Sequence, residues 1–275
     1  TVALKTIASG SDNREFLERL RREARACGRL QHPRIVTVYD LGEADNVVFI
    51  AMEYLQGENL SSALESGRLT INQRLTVLIQ VLDALEYAHS EGVIHRDIKP
   101  SNVHILADGN AKLLDFGLAR VERAEALTMS GSVMGTPYYM SPEQIKGLPV
   151  DGRTDVYSTG VVAYELFTRR RVFDAENIST IILKVLTEVP KPMATAFSLA
   201  FPELEAIVSR AIAKEPADRY ATAGEMRDAL AAFLTSSRDA IAREQQAATI
   251  RVQRTVAEAT VLIASGSLAE STRLL

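Results

Sequence analysis

A predicted β-hairpin in the middle of the chain constrains the fold most. Two apolar stretches, V-H-I-L from Val103 and A-K-L-L from Ala111, flank an A-D-G-N turn, which is a strong hairpin signal. If Leu106 faces Ala111 across this turn, counting outward brings Asn102 and Asp115 together at the open end. A carboxamide oxygen and a carboxylate are ligands that Mg²⁺ takes alongside phosphates. The sequence therefore predicts a candidate metal position at this end of the hairpin.

The residues before the hairpin add an acid and a cation. The segment H-R-D-I-K-P-S-N, residues 95–102, contains Asp97 and Lys99 between apolar stretches. Charges concentrated at the end of a strand usually face a cleft, so we expect both side chains to lie beside the metal position. A polar surface turn is the alternative interpretation when either motif is taken alone.

Taken together, these motifs resemble the signature set of protein kinases in order and spacing. The set comprises the 95–102 segment, Asp-Phe-Gly at 115–117, Gly-Thr-Pro at 135–137 and Ser-Pro-Glu at 141–143. The resemblance covers about residues 1–235, and its later part is similar to eukaryotic-like (Hanks-type) bacterial Ser/Thr kinases. It implies an α+β, bilobal fold with a small sheet-plus-helix N-lobe and a mainly helical C-lobe.

The resemblance also implies catalytic roles. Asp97 would accept or orient the proton of the substrate hydroxyl, and Lys99 would neutralise charge on the transferred phosphoryl group. Asn102 and Asp115 would hold the Mg²⁺ ions that bridge the phosphates of ATP. Lys99 and Thr136 are typical of Ser/Thr kinases. We therefore expect transfer of the ATP γ-phosphoryl group to Ser or Thr hydroxyls of protein substrates.

A lysine on the first predicted strand, residues 1–7, requires an anion. Lys5 shares a face with Ala3 among apolar neighbours, where an unpaired ammonium is costly. Glu23 lies on the apolar stripe of the following predicted helix, four residues before Cys27, and is the predicted partner. V-A-L-K also resembles the V-A-I-K of kinases, with Glu23 as the helix glutamate. The alternative is an exposed Lys5 and a helix pair between Arg19 and Glu23.

The resemblance implies a nucleotide site between the two lobes. M-E-Y-L-Q-G resembles the kinase hinge, where backbone groups of Glu53 and Leu55 would bond the adenine edge, although an ordinary strand end is the alternative. Ala3 and Lys5 would contribute from the first strand. His104 occupies a position where kinases usually present an apolar residue to the adenine, so we expect altered nucleotide affinity or selectivity.

Three further residues have predicted positioning roles. Asp155 opens an apolar helix and serves either as a cap or as the buried carboxylate that steadies the catalytic loop. Glu143 and Arg219 resemble the ion pair beneath the substrate-binding segment of kinases. Because a surface pair contributes at most ~1 kcal/mol, we expect this pair to affect positioning more than stability.

Regulation is predicted from Arg96, immediately before Asp97. In kinases with this arginine, a phosphate on the activation loop pairs with it and orders the loop. Thr128 and Ser130, in the predicted loop 121–135, are the preferred phosphosites, with Thr136 at its end as a further regulatory residue. We expect autophosphorylation in trans through self-association. The alternative is that these hydroxyl residues are ordinary soluble loop residues.

Composition excludes several classes of function. The net charge of -4 and pI near 5.7 argue against a nucleic-acid partner. The single cysteine cannot form an intrachain disulfide and fits a reducing compartment, so we expect a cytoplasmic location. No apolar run approaches the ~20 residues needed to span a bilayer.

The domain organisation is predicted from periodicity. Residues 1–235 would form a kinase domain that lacks its first two strands, because no Gly-rich loop precedes Lys5, and residues 236–275 a helical tail, a linker or the start of a helical repeat. Apolar patterns predict the strands and helices Ile35–Tyr39, Val47–Met52, Leu60–His89, Val156–Phe167 and Leu204–Ile212.

Two rival functions remain open. The first is a nucleotide-binding pseudokinase that works as a scaffold; the presence of all the expected catalytic residues weakens it. The second is a small-molecule phosphotransferase, but such enzymes generally lack the Ser-Pro-Glu segment.

Overall fold

The computed structural model describes residues 1–7, 27–44, 47–116, 137–193 and 201–264. Its strands are β1 Val2–Ile7, β2 Val38–Ala44, β3 Val47–Glu53, β4 Gly57–Asn59, β5 Val103–Leu106 and β6 Ala111–Leu113. Its helices are α1 Leu60–Ser66, α2 Ile71–Ser90, α3 Pro142–Ile145, α4 Arg153–Thr168, α5 Ile178–Thr187, α6 Pro202–Ala211, α7 Ala223–Ser236 and α8 Arg238–Ala264. Short 3₁₀ turns lie at Pro100–Asn102, Pro137–Tyr139 and Pro216–Asp218.

The first sheet is antiparallel, with strand order β1-β3-β2. Lys5 pairs with Ile50 of the central strand, and Ile50 is buried. The predicted strands at residues 1–7 and 47–52 agree with β1 and β3 to within one residue. The predicted strand Ile35–Tyr39 overlaps β2 only at its last two residues, because the ladder with β3 begins at Val38. Ile35 and Val36 pair with the second sheet instead: the Val36 N–H donates to the Leu113 carbonyl at 2.9 Å.

The second sheet has strand order β4-β5-β6 and contains the predicted hairpin. The predicted register is wrong by one residue, since Ile105 and not Leu106 faces Ala111. The Leu106 carbonyl accepts from the Gly109 N–H, and Gly109 has a φ of +83°. The Leu106 N–H then donates to the Asn110 carbonyl at 2.8 Å. A three-residue loop that ends on a left-handed glycine therefore shifts the pairing.

The helical part begins with two helices where the apolar period predicted one from Leu60 to His89. α1 ends at Gly67, which has a φ of +64° and donates its N–H to the Leu64 carbonyl. α2 starts afresh at Thr70, whose hydroxyl accepts from the Gln73 N–H while the Gln73 side chain accepts from the Thr70 N–H. This capping box is a strong start signal, so the continuous-helix prediction is wrong.

Helix α4 is the centre of the helical core. Every residue from Thr154 to Thr168 is buried, and the helix packs against α2, α6 and α7. Gly160 allows α6 to approach closely, because a Cβ at this position would lie 2.8 Å from atoms of Ala211 and Ile212. The predictions Val156–Phe167 and Leu204–Ile212 agree with α4 and α6 to within a few residues at their ends.

The last described helix, α8, packs on the helical core near its start. Ile241 is fully buried, and α8 contacts α2 and α7. None of the described helices combines the length and hydropathy needed to span a membrane. The predicted helix before Leu30 (apart from its last residues), the loop 121–135 and the break at Gly266 lie outside the described residues.

Candidate active site

One buried carboxylate holds the start of the 95–102 segment. Asp155, in the first turn of α4, is fully buried and accepts hydrogen bonds of 2.8 Å from the N–H groups of both His95 and Arg96. Its Oδ2 also lies 2.7 Å from Nε2 of His89. Of the two roles left open by the sequence, these contacts are those of a buried carboxylate that steadies the segment.

Arg96 has a backbone conformation that needs such support. Its φ is +67°, in the left-handed region that residues with a side chain rarely adopt. The Asp155 carboxylate holds its N–H, and Nε2 of Gln144 donates to its carbonyl at 2.8 Å. Sequence reasoning did not single out Gln144, whose position in the Ser141 capping box was the available signal.

The Asp97 carboxylate contacts both of its predicted neighbours. Its Oδ2 lies 2.7 Å from Nζ of Lys99 and accepts a 3.0 Å hydrogen bond from Nδ2 of Asn102. Asn102 Nδ2 also donates to the Asp97 carbonyl at 2.8 Å. Because an ammonium and a carboxamide hold it, the carboxylate is fixed in one orientation.

The hairpin places Asn102 close to Asp115, but not directly opposite it as predicted. The Leu114 N–H donates to the Asn102 carbonyl at 2.9 Å, so Asn102 faces Leu114 and Asp115 lies one residue further on. His95 Nε2 lies 2.8 Å from the Leu114 carbonyl and ties the same strand end to the 95–102 segment. Asp115 itself has a φ of +59°, which turns the chain out of the strand.

Lys5 forms an ion pair with Asp115. Its Nζ lies 2.9 Å from Asp115 Oδ2, and both side chains are partly exposed. Ala3 and Lys5 are half-buried while Val2 and Leu4 are exposed, as the predicted alternation requires. Glu23, the predicted partner, lies outside the described residues, as do Thr128, Ser130 and Thr136.

The oxygen donors of Asn102 and Asp115 fit a magnesium ion that also binds phosphate. Asn102 uses its Nδ2 toward Asp97, so its Oδ1 is directed away from that carboxylate. No group of three or more His, Cys, Asp or Glu side chains suited to a metal occurs within the described residues. Two hard oxygen ligands suit Mg²⁺, because this ion usually keeps water or phosphate oxygens in its remaining positions.

The predicted hinge is fixed to the second sheet by an ion pair. Both carboxylate oxygens of Glu53 accept from Nζ of Lys112, at 2.8 and 2.7 Å, and its N–H donates to the Thr37 carbonyl. Burial alone would raise the pKa of Glu53, but the hydrogen bonds from Lys112 and Thr37 lower it below its ordinary value. Sequence reasoning missed Lys112, although a lysine between the buried Ala111 and Leu113 was the same signal that singled out Lys5.

His104 lies in the middle of the second sheet, opposite Asn59 on one side and Lys112 on the other. Its Nε2 is buried and has no hydrogen-bond partner among the described residues. Burial lowers the pKa of His104, and the Glu58 carboxylate offsets this only in part. The imidazole is therefore mainly neutral at neutral pH.

The pair of Glu143 and Arg219 is buried, which corrects the expectation of a surface pair. Arg219 is 2% exposed and Glu143 6%. Burial alone would raise the pKa of Glu143, but hydrogen bonds from Arg219 and Thr154 lower it to about 2. Removing one partner alone would leave a buried charge uncompensated, so we expect the stability of the fold, as well as the position of the segment, to depend on the intact pair.

Comparison with known proteins identifies this arrangement. The family described as "Protein kinase domain" matches residues 1–234. The chain belongs to the protein kinase family. The predicted bilobal α+β kinase fold is confirmed by the kinase domain of Mycobacterium tuberculosis PknI, which superposes with a TM-score of 0.66 at 30% identity over 83% of this chain and 84% of that one.

The related proteins are bacterial Ser/Thr kinases, which confirms the predicted class. A probable serine/threonine-protein kinase of Streptomyces coelicolor is 43% identical over 82% of this chain and 35% of its own length. PrkC of Bacillus subtilis is 36% identical over 95% of this chain and 40% of its own length. PknA of M. tuberculosis is 38% identical over 86% of this chain and 56% of its own length. The chain thus spans less than two thirds of each of these relatives.

Proposed function

We propose that this kinase domain transfers the γ-phosphoryl group of ATP, with Mg²⁺, to Ser or Thr hydroxyls of proteins. The observation that carries the proposal is the Asp97 carboxylate, which Lys99 and Asn102 hold beside the strand end that bears Asp115. A general base needs a fixed orientation toward the hydroxyl whose proton it accepts. The contacts with Lys99 and Asn102 support this role, because they hold the carboxylate in one position.

Lys99 and Lys5 supply the positive charge of the site. Lys99 Nζ is in contact with Asp97, and from there it would stabilise negative charge on the transferred phosphoryl group next to the attacking hydroxyl. Lys5 contacts Asp115 and can donate to phosphate oxygens at the same strand end. When bound by Asn102 and Asp115, Mg²⁺ would neutralise charge on the ATP phosphates and orient them.

The other predicted roles complete the proposal. Backbone groups of Glu53 and Leu55 would bind the adenine edge, with Ala3 and His104 against its ring. Glu23 would pair with Lys5 when the site is active, and a phosphate on Thr128 or Ser130 would pair with Arg96.

We also propose that the kinase domain spans residues 1–235. Residues 236–275 would then be a helical tail, a linker or the start of a repeat region. The end of α7 at Ser236 and the start of α8 at Arg238 support this division.

The test compares phosphate transfer with nucleotide binding in the full protein that carries this chain. Wild type and Asp97→Asn are incubated with γ-labelled ATP, Mg²⁺ and a generic protein substrate, and ATP binding is followed by thermal shift. We expect Asp97→Asn to bind ATP but to lose transfer by about 10²-fold or more. Asp239→Asn, an exposed carboxylate in the first turn of α8, is the matched control.

Equal labelling by wild type and Asp97→Asn would contradict the catalytic role of Asp97. Nucleotide binding by the wild type without any transfer would favour the pseudokinase scaffold. A further assay mixes wild type with an Asp97→Asn copy that carries a tag and can be separated from it by size. Transfer of labelled phosphate to the tagged Asp97→Asn copy would support phosphorylation in trans between two copies.

A further inference from the structure

A pocket of about 350 Å³ opens beside the Asp97 carboxylate. Four separate parts of the chain line it: Ser61 near the start of α1, residues 96–101, Tyr139 with Met140, and Arg171 after α4. A polypeptide whose Ser or Thr reaches Asp97 would place its neighbouring side chains in or near this pocket.

The described wall of the pocket carries an excess of positive charge. Its charged lining residues are the cations Arg96, Lys99 and Arg171 and a single anion, Asp97. The remaining polar side chains of the lining, Ser61, Ser101 and Tyr139, carry neutral hydroxyls.

Arg171 is held in place by its side-chain contacts. Its guanidinium carbon lies 4.0 Å from the centroid of the Tyr138 ring, and its Nε lies 3.3 Å from Oε1 of Glu165. The other oxygen of Glu165 accepts a 2.5 Å hydrogen bond from the Tyr139 hydroxyl. Within the described residues, nothing accepts a hydrogen bond from the two Nη amino groups of Arg171, whose side chain is 38% exposed. These groups are therefore available to a ligand.

The backbone on both sides of Arg171 is also fixed. The Thr168 hydroxyl accepts from the Arg170 N–H and donates to the Arg170 carbonyl, both at 3.1 Å. On the other side, Val172 and Phe173 are buried in the helical core. A side chain held in this way loses little freedom when it binds a ligand.

We propose that this pocket binds an acidic side chain of the substrate polypeptide near the Ser or Thr acceptor, and that Arg171 selects it. The inference rests on the proposed kinase function of Asp97. A guanidinium with two unused amino groups matches a carboxylate through paired, charge-assisted hydrogen bonds. A basic side chain in the same place would meet the positive wall, so the pocket also discriminates against basic sequences.

The binding test uses peptides that cannot be phosphorylated. In each, Ala replaces the acceptor and Glu, Gln or Lys is placed in turn at each position near it; binding to the full protein with Mg-ADP is measured by fluorescence anisotropy. We expect the best Glu peptide to bind about fivefold more tightly than its Gln counterpart. Arg171→Gln should abolish this difference, and Arg171→Glu should reverse it toward Lys peptides.

Arg170→Gln is the matched control, because it removes a neighbouring exposed arginine that does not line the pocket. It should keep the preference for Glu. Thermal unfolding of each variant shows whether it is folded. If Arg171→Glu is unstable, Arg171→Gln alone still tests the inference. Undetectable or equal binding of the Glu and Gln peptides by the wild type, or a Glu preference that survives Arg171→Gln, would overturn the proposal.

A parallel assay separates this inference from the kinase function itself. The same peptides with Thr restored are incubated with labelled ATP and Mg²⁺. Transfer to all peptides without an acidic preference overturns only the role of Arg171. An Arg171-dependent binding preference without transfer supports the proposed recognition of an acidic side chain and contradicts the proposed catalytic function.

Discussion

Arg219 and Glu143, which are 76 residues apart, are joined by two parallel hydrogen bonds, 2.7 Å from Nη1 to Oε1 and 2.8 Å from Nη2 to Oε2. Arg219 also donates to the carbonyls of Ala213, Arg153 and Lys214. One guanidinium therefore joins the Ser-Pro-Glu segment, the start of α4 and the connection after α6. The position of the segment next to Asp97 depends on this arrangement.

Replacing Arg219 should strongly destabilise the fold. Arg219→Met removes the guanidinium from three carbonyl groups and from the buried Glu143 carboxylate, which retains only a neutral donor, the Thr154 hydroxyl, among its described side-chain partners. We therefore expect a loss of about 3–5 kcal/mol in the free energy of unfolding, measured in urea. Arg227→Met is the control, because Arg227 pairs with Asp83 at 3.0 Å where both side chains are about a third or more exposed. We expect this control to lose at most about 1 kcal/mol. Equal losses in the two variants would show that burial of the Arg219 pair has no special effect.

The same pair should make stability depend on pH. The pKa of Glu143 is about 2 in the folded protein, against an ordinary value of 4.5. Because the folded pKa is lowered, the stabilisation is fully present above pH 4.5 and is lost as the pH falls toward 2. Glu143→Gln cannot titrate, while all other carboxyl groups titrate in both proteins. We therefore expect the stability advantage of wild type over Glu143→Gln to shrink by about 2 kcal/mol between pH 6 and pH 3. A constant difference over this range would contradict the assignment.

Asp155→Asn should impair the turn at Arg96 more than substrate binding. One amide oxygen cannot replace the carboxylate that faces three donors, from His89, His95 and Arg96. Because Asp155 is buried away from substrate, we expect kcat to fall about 10- to 100-fold with a smaller change in the KM for ATP.

Hydrogen exchange at the amides of His95 and Arg96 gives a readout independent of activity, and both should exchange faster in Asp155→Asn. The control is Asp151→Asn, which removes an exposed carboxylate that accepts from the Arg153 N–H. Unchanged exchange in Asp155→Asn would mean that the carboxylate does not hold the turn.

Local signals in the sequence predicted most helices and strands, but not the register of the hairpin or the break between α1 and α2. The Asp-Gly turn and its apolar flanks predicted the hairpin of β5 and β6, yet the register depends on Gly109 adopting a left-handed conformation, which the residue type permits without requiring. The break between α1 and α2 did have a signal, since Gly67 is followed by the Thr70 to Gln73 capping box. The helical apolar period, which extends from Leu60 to His89, nevertheless favoured the prediction of a single helix.

The contacts of the site were predictable only in part. Lys5 was recognised as needing an anion because a strand alternates its faces, but nothing local indicated that Asp115 would supply it. The hydrogen bond between Lys112 and Glu53 and the cation–π contact between Arg171 and Tyr138 depend on how distant elements pack. Periodicity shows which face a residue occupies; it does not show which residue lies opposite.

The partly buried imidazole of His104 provides the last prediction. Its Nε2 has no described partner, and burial lowers its pKa below the ordinary 6.5. Since the unfolded chain then binds the proton more readily, wild type should lose stability relative to His104→Leu as the pH falls from 7.5 to 5.5. Thermal unfolding of both proteins at the two pH values measures this. At pH 7.5 we expect the variant to be at least as stable as wild type, because Leu leaves no unpaired polar atom in the sheet. An NMR titration midpoint for the His104 ring at or above 6.5 would contradict the prediction.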